Sequence, residues 1–165
     1  MPEKKTIERA RKDKREGKSA STQAGEFVKE QIRKIRRGKH GARSPQQAIA
    51  IGLSEARRAG VDLPPPRKGK KSTRRKAKYA YEVGQGKRKV KRRPKVSRAV
   101  SRVLEREPRS TASREALSNQ AKRAASRRSA SDRSAAARKA ARTKGSATRS
   151  KAARKAARTR GRRKR

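Results

Sequence analysis

Nineteen basic side chains against one carboxylate, Asp132, occupy residues 116–165, and a stretch of that kind cannot fold around a core of its own. Self-repulsion opposes compaction, and too few apolar groups are present to offset the entropy of ordering the chain. The excess builds along the sequence: residues 1–66 hold 17 basic and 8 acidic residues, and residues 67–115 hold 20 and 4. A formal net charge of +43 over 165 residues implies a polyanionic partner.

The window 19–63 is where a core can form. It holds nine large apolar residues, Phe27, Val28, Ile32, Ile35, Ile49, Ile51, Leu53, Val61 and Leu63. In "STQAGEFVKEQIRKIRRG", Ala24, Phe27, Val28, Ile32 and Ile35 recur at helical spacing, with Ser21 or Thr22 as N-cap and Gly38 as a stop. In "SPQQAIAIGLSEARRAG", Ser44 supplies the capping hydroxyl, Pro45 the first helical position and Gln47 a side chain that reaches back, while Gly60 ends the helix. Ile49, Leu53 and Ala56 form one stripe of this helix and Ile51 lies on the opposite side, so it needs two partners. A unit this small sits near the limit of independent stability, and the expectation is that it is covered by another element or forms a homo-oligomer through the 19–63 module, with Ile51 in the second contact.

The fold class expected is mostly α: a small two-helix N-terminal module followed by conditionally helical or disordered basic segments. Residues 1–18 read as a basic helix or arm and 64–72 as a linker, since "LPPPRKGKKS" favours extended, flexible backbone. Residues 73–128 read as basic amphipathic helices. Tyr79 and Val83 mark the first, Val96, Ala99, Val100, Val103 and Leu104 form a face of the second, and Ala116, Leu117, Ala121, Ala124 and Ala125 form a weaker face that packs on it. Residues 129–165 are a low-complexity tail in which "AARKAARTKG" (136–145) recurs as "AARKAARTRG" (152–161).

Arginine dominates that tail, and its planar fork engages phosphate oxygens in pairs. The candidate nucleic-acid-binding residues are Arg138, Lys139, Arg142 and Lys144 in the first repeat, and Arg154, Lys155, Arg158 and Arg160 in the second. Arg162, Arg163, Lys164 and Arg165 follow at the end, with Arg92 and Arg93 further upstream. Like charges four apart oppose helix while alanine favours it, so the tail is expected to be partly coil when free and helical on duplex. Base-specific reading has a weaker basis: Gln46 and Gln47 stand where a recognition helix would meet base edges, but Gln47 also completes a capping box. The Gly-flanked "GKHGARS" reads as a turn, with phosphate binding through its backbone, Lys39 and Arg43 as the alternative. Stacking modules are disfavoured, since Phe27, Tyr79 and Tyr81 are the only aromatic residues.

The chain has no cysteine and one histidine, His40, and shows no paired carboxylates, nucleophile with base, or metal-ligand spacing. A non-enzyme without cofactor or metal is expected. The N-terminus lacks the apolar run of a signal peptide and no stretch has the length of a membrane span, which argues for a cytoplasmic protein with no membrane partner.

"RKDKREGKSASTQAGEFVKEQI" and "GKHGARSPQQAIAIGLSEARRAGVDLPPP" closely resemble an uncharacterised family of small basic bacterial proteins with a conserved domain of unknown function, over roughly residues 7–66. Members are described at most as candidate DNA-binding proteins, so the resemblance implies a bacterial cytoplasmic setting and transfers no site residue. The tail is similar in composition to histone-H1-like proteins, though richer in Arg and poorer in Pro. The expected function is sequence-nonspecific DNA binding by a nucleoid-associated, histone-like protein that contacts the phosphate backbone. The alternative is an RNA-binding or ribosome-associated assembly protein.

Overall fold

The structure is a computed structural model that describes residues 2–90 and 93–163. Helices α1 (Lys4–Arg15), α2 (Ala20–Arg36), α3 (Pro45–Arg58), α4 (Lys71–Gly84), α5 (Pro94–Arg106), α6 (Arg114–Ser126) and α7 (Ala130–Arg163) are joined by short connections, with one 3₁₀ turn at Ser110–Ala112. The chain divides into two units, Met1–Gln120 and Ala121–Arg165.

Local chemistry sets the helix ends. The α2 cap is Ser19, two residues before Ser21 and three before Thr22, the hydroxyls expected for it, with its Oγ accepting from Thr22 N at 3.4 Å. Ser44 caps α3 by accepting from Gln47 N at 3.2 Å, and Gln47 Oε1 accepts from Arg43 N at 2.7 Å. At the other end Gly60 takes φ +88, the left-handed conformation that glycine reaches without strain, and Val61 N and Gly60 N donate to the carbonyls of Ala56 and Arg57. The same double closure ends α1, α2 and α4.

The first unit is more than a two-helix module. Helix α1 packs on α2, α2 on α3, and α4 on α3, so the expected pair is the centre of a four-helix body. Expectation and structure part here because the reckoning by large apolar residues overlooked alanine and glycine. One core joins Ala10 of α1, Ala24 and Phe27 of α2, Ala56 of α3 and Val61; a second joins Ile35, Ala42, Ala48 and Ala112. Helix α4 presents Ala77 and Ala80 to the interior, and Tyr79 and Val83 are only half-buried. Small side chains let helix axes come close: a Cβ built at Gly52 of α3 would lie 2.6 Å from Val28 Cα of α2, and one built at Gly84 of α4 would collide with Arg57 O of α3.

Helix α3 therefore has two helical neighbours within one chain, which meets the need inferred from Ile51. Ile51 is half-buried, on the face that Ser54 and Arg58 share by helical spacing. After α3, Arg57 folds onto the next segment, its Nε donating to Leu63 O at 3.0 Å and its Nη2 to Pro64 O at 3.3 Å. Residues 61–70 carry no helix, and Tyr81 OH donates to Asp62 Oδ1 at 2.6 Å, tying α4 back across that stretch.

Buried charge fastens α1. Glu30 is 1% exposed; it pairs with Lys34 and accepts from Glu3 N at 3.1 Å and from the Thr6 hydroxyl. Burial pushes its pKa up, but Lys34, Thr6 and the Glu3 amide outweigh burial and hold the carboxyl below its ordinary value.

A clamp from the later sequence closes the α2–α3 connection. Gly41 N donates to Leu104 O at 2.7 Å, Ala42 N to Pro108 O at 3.2 Å, Arg36 Nε to Ala112 O at 2.7 Å, and Thr111 Oγ1 to Ala42 O at 2.9 Å. Helix α5, by contrast, keeps its valine face open, with Val96, Val100 and Val103 each more than half exposed. The expected packing of α6 on that face is absent among the described residues, since α6 makes its link elsewhere, from Gln120 to Gln46.

Candidate nucleic-acid interface

In the second unit the tail is helical, which corrects the expectation of conditional or disordered structure there. Its cause is local, since its described side chains other than Ala141 are all exposed: the alanine-rich repeats supply the best helix former. Helix α7 has one break, at Gly145, where φ 66 and ψ 165 interrupt an otherwise helical run. Gly145 is the last residue of the first repeat, so each repeat occupies its own helical arm.

On the first arm Arg138, Lys139 and Arg142 lie within about 100° of one another by the 100° turn per residue, opposite Ala136, Ala137 and Ala140. On the second, Arg154, Lys155 and Arg158 repeat that face, extended toward the break by Lys151, with Ala152, Ala153, Ala156 and Ala157 opposite. Arg160 stands off the stripe, separated from it by the same spacing rule. All these cations are exposed. Arg149 Nε donates to Gly145 O at 3.3 Å, bracing the break, and Thr159 Oγ1 donates to Lys155 O at 3.0 Å.

Arg93 is the exposed N-cap position of α5, beside a shallow cleft of about 490 Å³ lined with Pro94, Lys95, Val96 and Arg98. Arg92, Lys164 and Arg165 lie outside the described residues, as do the side chains of Lys144, Arg162 and Arg163.

Two candidate readings of the α2–α3 region lose their basis. The N–H groups of Gly38, Lys39, Gly41, Ala42 and Arg43 all donate within the protein, to Ile35 O, Lys34 O, Leu104 O, Pro108 O and Gln47 Oε1, so these five of the seven "GKHGARS" amides are already committed. His40 sits between Gly41 O (2.9 Å) and Gln31 Oε1 (3.0 Å), and the Gln31 amide nitrogen donates to Glu55. Gln47 is spent on capping and Gln46 donates to Gln120 Oε1 at 2.8 Å, with the 3₁₀ turn packed against α3, so α3 does not present a free recognition end.

Sequence reasoning missed a cationic cleft between α3 and α4. It has a volume of about 640 Å³, with Ser54 and Arg58 on one wall, Arg75, Tyr79 and Glu82 on the other, and Arg88 beyond α4. The signal was present as Ser54/Arg58 at i,i+4 and Arg75/Tyr79/Glu82 at i,i+4,i+7, but each half is meaningful only once α4 is known to lie on α3.

Residues 3–71 match a family of unknown function, DUF6496. The matched stretch begins at the N-cap of α1 and ends at the first residue of α4, so it takes in the α1–α3 body and the connecting segment and leaves the clamp, the cleft's second wall and the tail outside. No curated protein and no solved structure matches the chain. Among the described residues no helix is long and apolar enough to cross a membrane, and no group of three His, Asp or Glu side chains could hold a metal ion.

Proposed function

We propose that this protein is a sequence-nonspecific DNA-binding protein of the nucleoid-associated, histone-like kind, which neutralises duplex through its tail. The observation that carries this reading is α7. Among its described side chains only Ala141 is half-buried and the rest are exposed, so the helix has no packing role within its unit. A helix that buries no face needs a reason outside its own packing, and two copies of a three-cation stripe on separate arms present phosphate-binding groups at regular spacing. Phosphate contacts of this type carry affinity without base preference.

The test is the salt dependence of binding to duplexes of unrelated sequence. The full chain is expected to bind them alike, with affinity falling steeply as salt rises. Replacing Arg138, Lys139, Arg142, Arg154, Lys155 and Arg158 with Gln should flatten the slope of log K against log[salt] by up to about five, at roughly 0.9 per neutralised phosphate contact. An unchanged slope removes the tail from the interface, and a marked preference for one duplex sequence, or for RNA over DNA, overturns the reading itself.

A further inference from the structure

The cleft between α3 and α4 belongs to the other unit of the chain and asks for a different ligand. Its walls carry Arg58, Arg75, Lys76, Lys78 and Arg88 against a single carboxylate, Glu82. Glu82 is committed to two of them, Arg88 at 3.3 Å and Lys78 at 3.8 Å, and among the described residues no carboxylate pairs with Arg58, Arg75 or Lys76. Three cations converge on one concavity with no protein counter-ion. That arrangement is costly to hold empty in a body already repelling itself, and it is relieved by a bound anion of more than one charge.

The second observation is aromatic. Tyr79 is half-buried on the α4 wall, and the Arg88 guanidinium lies over its ring, 5.3 Å from the centroid. A planar cation on the ring shows that the π face is reachable from the cleft side, and Arg planes and Tyr rings are the two surfaces on which nucleobases stack. Ser54 adds a hydroxyl that can donate or accept. The volume, about 640 Å³, lies within the range of roughly 300–1,000 Å³ typical of small-ligand sites.

We propose that the α3–α4 cleft binds a nucleotide, its phosphates on Arg58 and Arg75 with Lys76, and its base against Tyr79 and Arg88. The ligand can be a free nucleotide or one unit of a single strand, which share this chemistry. The site lies within the first unit and would survive the failure of the duplex-binding reading.

The experiment is an NMR titration of the full chain with ATP and, in parallel, with inorganic tripolyphosphate, which carries the phosphates without the base. ATP is expected to shift the amide signals of Ser54, Arg75, Tyr79 and Arg88 to saturation, whereas tripolyphosphate moves the tail more than the cleft. Tyr79→Leu should weaken ATP by about tenfold, the loss of one base stack, and Tyr79→Phe should bind as the parent does. Arg75→Gln, at an exposed position where folding is not at stake, should weaken ATP and tripolyphosphate alike at the cleft. A single-stranded tetranucleotide in place of ATP separates the two sources: tighter saturation of the same four signals assigns the site to a strand, and no gain over ATP assigns it to the free nucleotide. Shifts confined to residues 121–163 with every probe, or equal ATP affinity in the parent and in Tyr79→Leu, overturn the proposal.

Discussion

Alanine at position 52 and alanine at position 25 should move stability in opposite directions. Both glycines lie inside helices, where replacing Gly with Ala gains up to about 1 kcal/mol of helix propensity. At Gly25, exposed on α2, a Cβ meets nothing within 4 Å, so Gly25→Ala should deliver most of that gain. At Gly52 the new Cβ falls 2.6 Å from Val28 Cα, 2.8 Å from Val28 N and 3.0 Å from Val28 Cγ2, against a comfortable separation of roughly 3.5–4.0 Å. Two of these three neighbours are backbone, so the clash cannot be relieved by a rotamer change. Helix α3 has to retreat by about 1 Å from α2, loosening Phe27, Ala24 and Ala56 together, and overpacking of this kind costs about 1–3 kcal/mol. The propensity gain is common to both variants, so their difference isolates the crossing and should equal that cost. Urea unfolding of the full chain, followed by tyrosine fluorescence, measures it: Tyr79 and Tyr81 are the only tyrosines, both on α4, so the signal reports the four-helix body and not α7. With a urea m-value of about 1–3 kcal/mol/M, the midpoint of Gly52→Ala should lie roughly 0.5–2 M below that of Gly25→Ala. Equal midpoints would refute the reasoning, because α2 and α3 would then not cross at Val28 and Gly52.

Acid should release α1 first. Glu30 is held below its ordinary pKa, so the stability it contributes is fully present above the usual carboxylate value near ~4.3 and is lost as pH falls through the folded value. Amide exchange in α1 should therefore accelerate ahead of α2 on acidification, and Glu30→Gln should show the fast exchange already at neutral pH, with a loss of about 1.5–3 kcal/mol. Ala112→Asp buries a carboxylate where Ala112 is fully enclosed with Ile35, Ala42 and Ala48, and it should free residues 104–120 in hydrogen exchange while leaving protection in α1 intact. Gly145→Ala removes the residue that tolerates φ 66, at a cost of about 1–3 kcal/mol for keeping the break, so the arms should fuse into one helix. Spin labels at Ala137 and Ala153 would then report a backbone separation near ~24 Å, the rise of sixteen helical residues, against a shorter distance in the parent.

Much of the helix content of the first unit was legible because helix starts and stops are local chemistry: Ser44, Pro45 and Gly60 do in the structure what their types imply. The partners of those helices were less legible. Counting large apolar residues made 19–63 look isolated, yet the body is completed by Thr6 and Ala10 from one side and by Ala77, Ala80 and Ala112 from the other. Alanine carries little hydrophobic signal in a sequence where it also fills the tail, and only close approach of neighbouring elements, as at Gly52 and Gly84, makes it a core residue. The valine face of α5 misleads in the opposite sense, with a clear apolar stripe that no described element covers. The tail's cations were legible as charge, whereas their division into two arms rests on one glycine whose dihedral angles no pattern announces. The cleft was illegible for a further reason, since its two walls come from helices separated by a proline-rich stretch that reads as a boundary.

Two kinds of helix share this chain, and the difference has a consequence for how its charge can be altered. Helices α1 to α4 exist because faces of Ala, Gly, Phe and Ile are buried, and their carboxylates Glu30 and Glu55 are spent inward on Lys34, the α1 end and Gln31. Helix α7 buries no such face and rests on alanine propensity against the repulsion of Arg138 with Arg142 and of Arg154 with Arg158, at about 0.2–0.5 kcal/mol for each pair. Charge in the body is therefore coupled to its stability, whereas in the tail the like-charge pairs oppose the tail's own helix, and neutralising them relieves that repulsion. A polyanion that covers the tail removes the repulsion and leaves the body's anchors untouched. Arg and Lys can then be added to or removed from the tail without touching the body's anchors, which is the physical reason a four-helix body with inward carboxylates and an exposed cationic helix can coexist in one sequence.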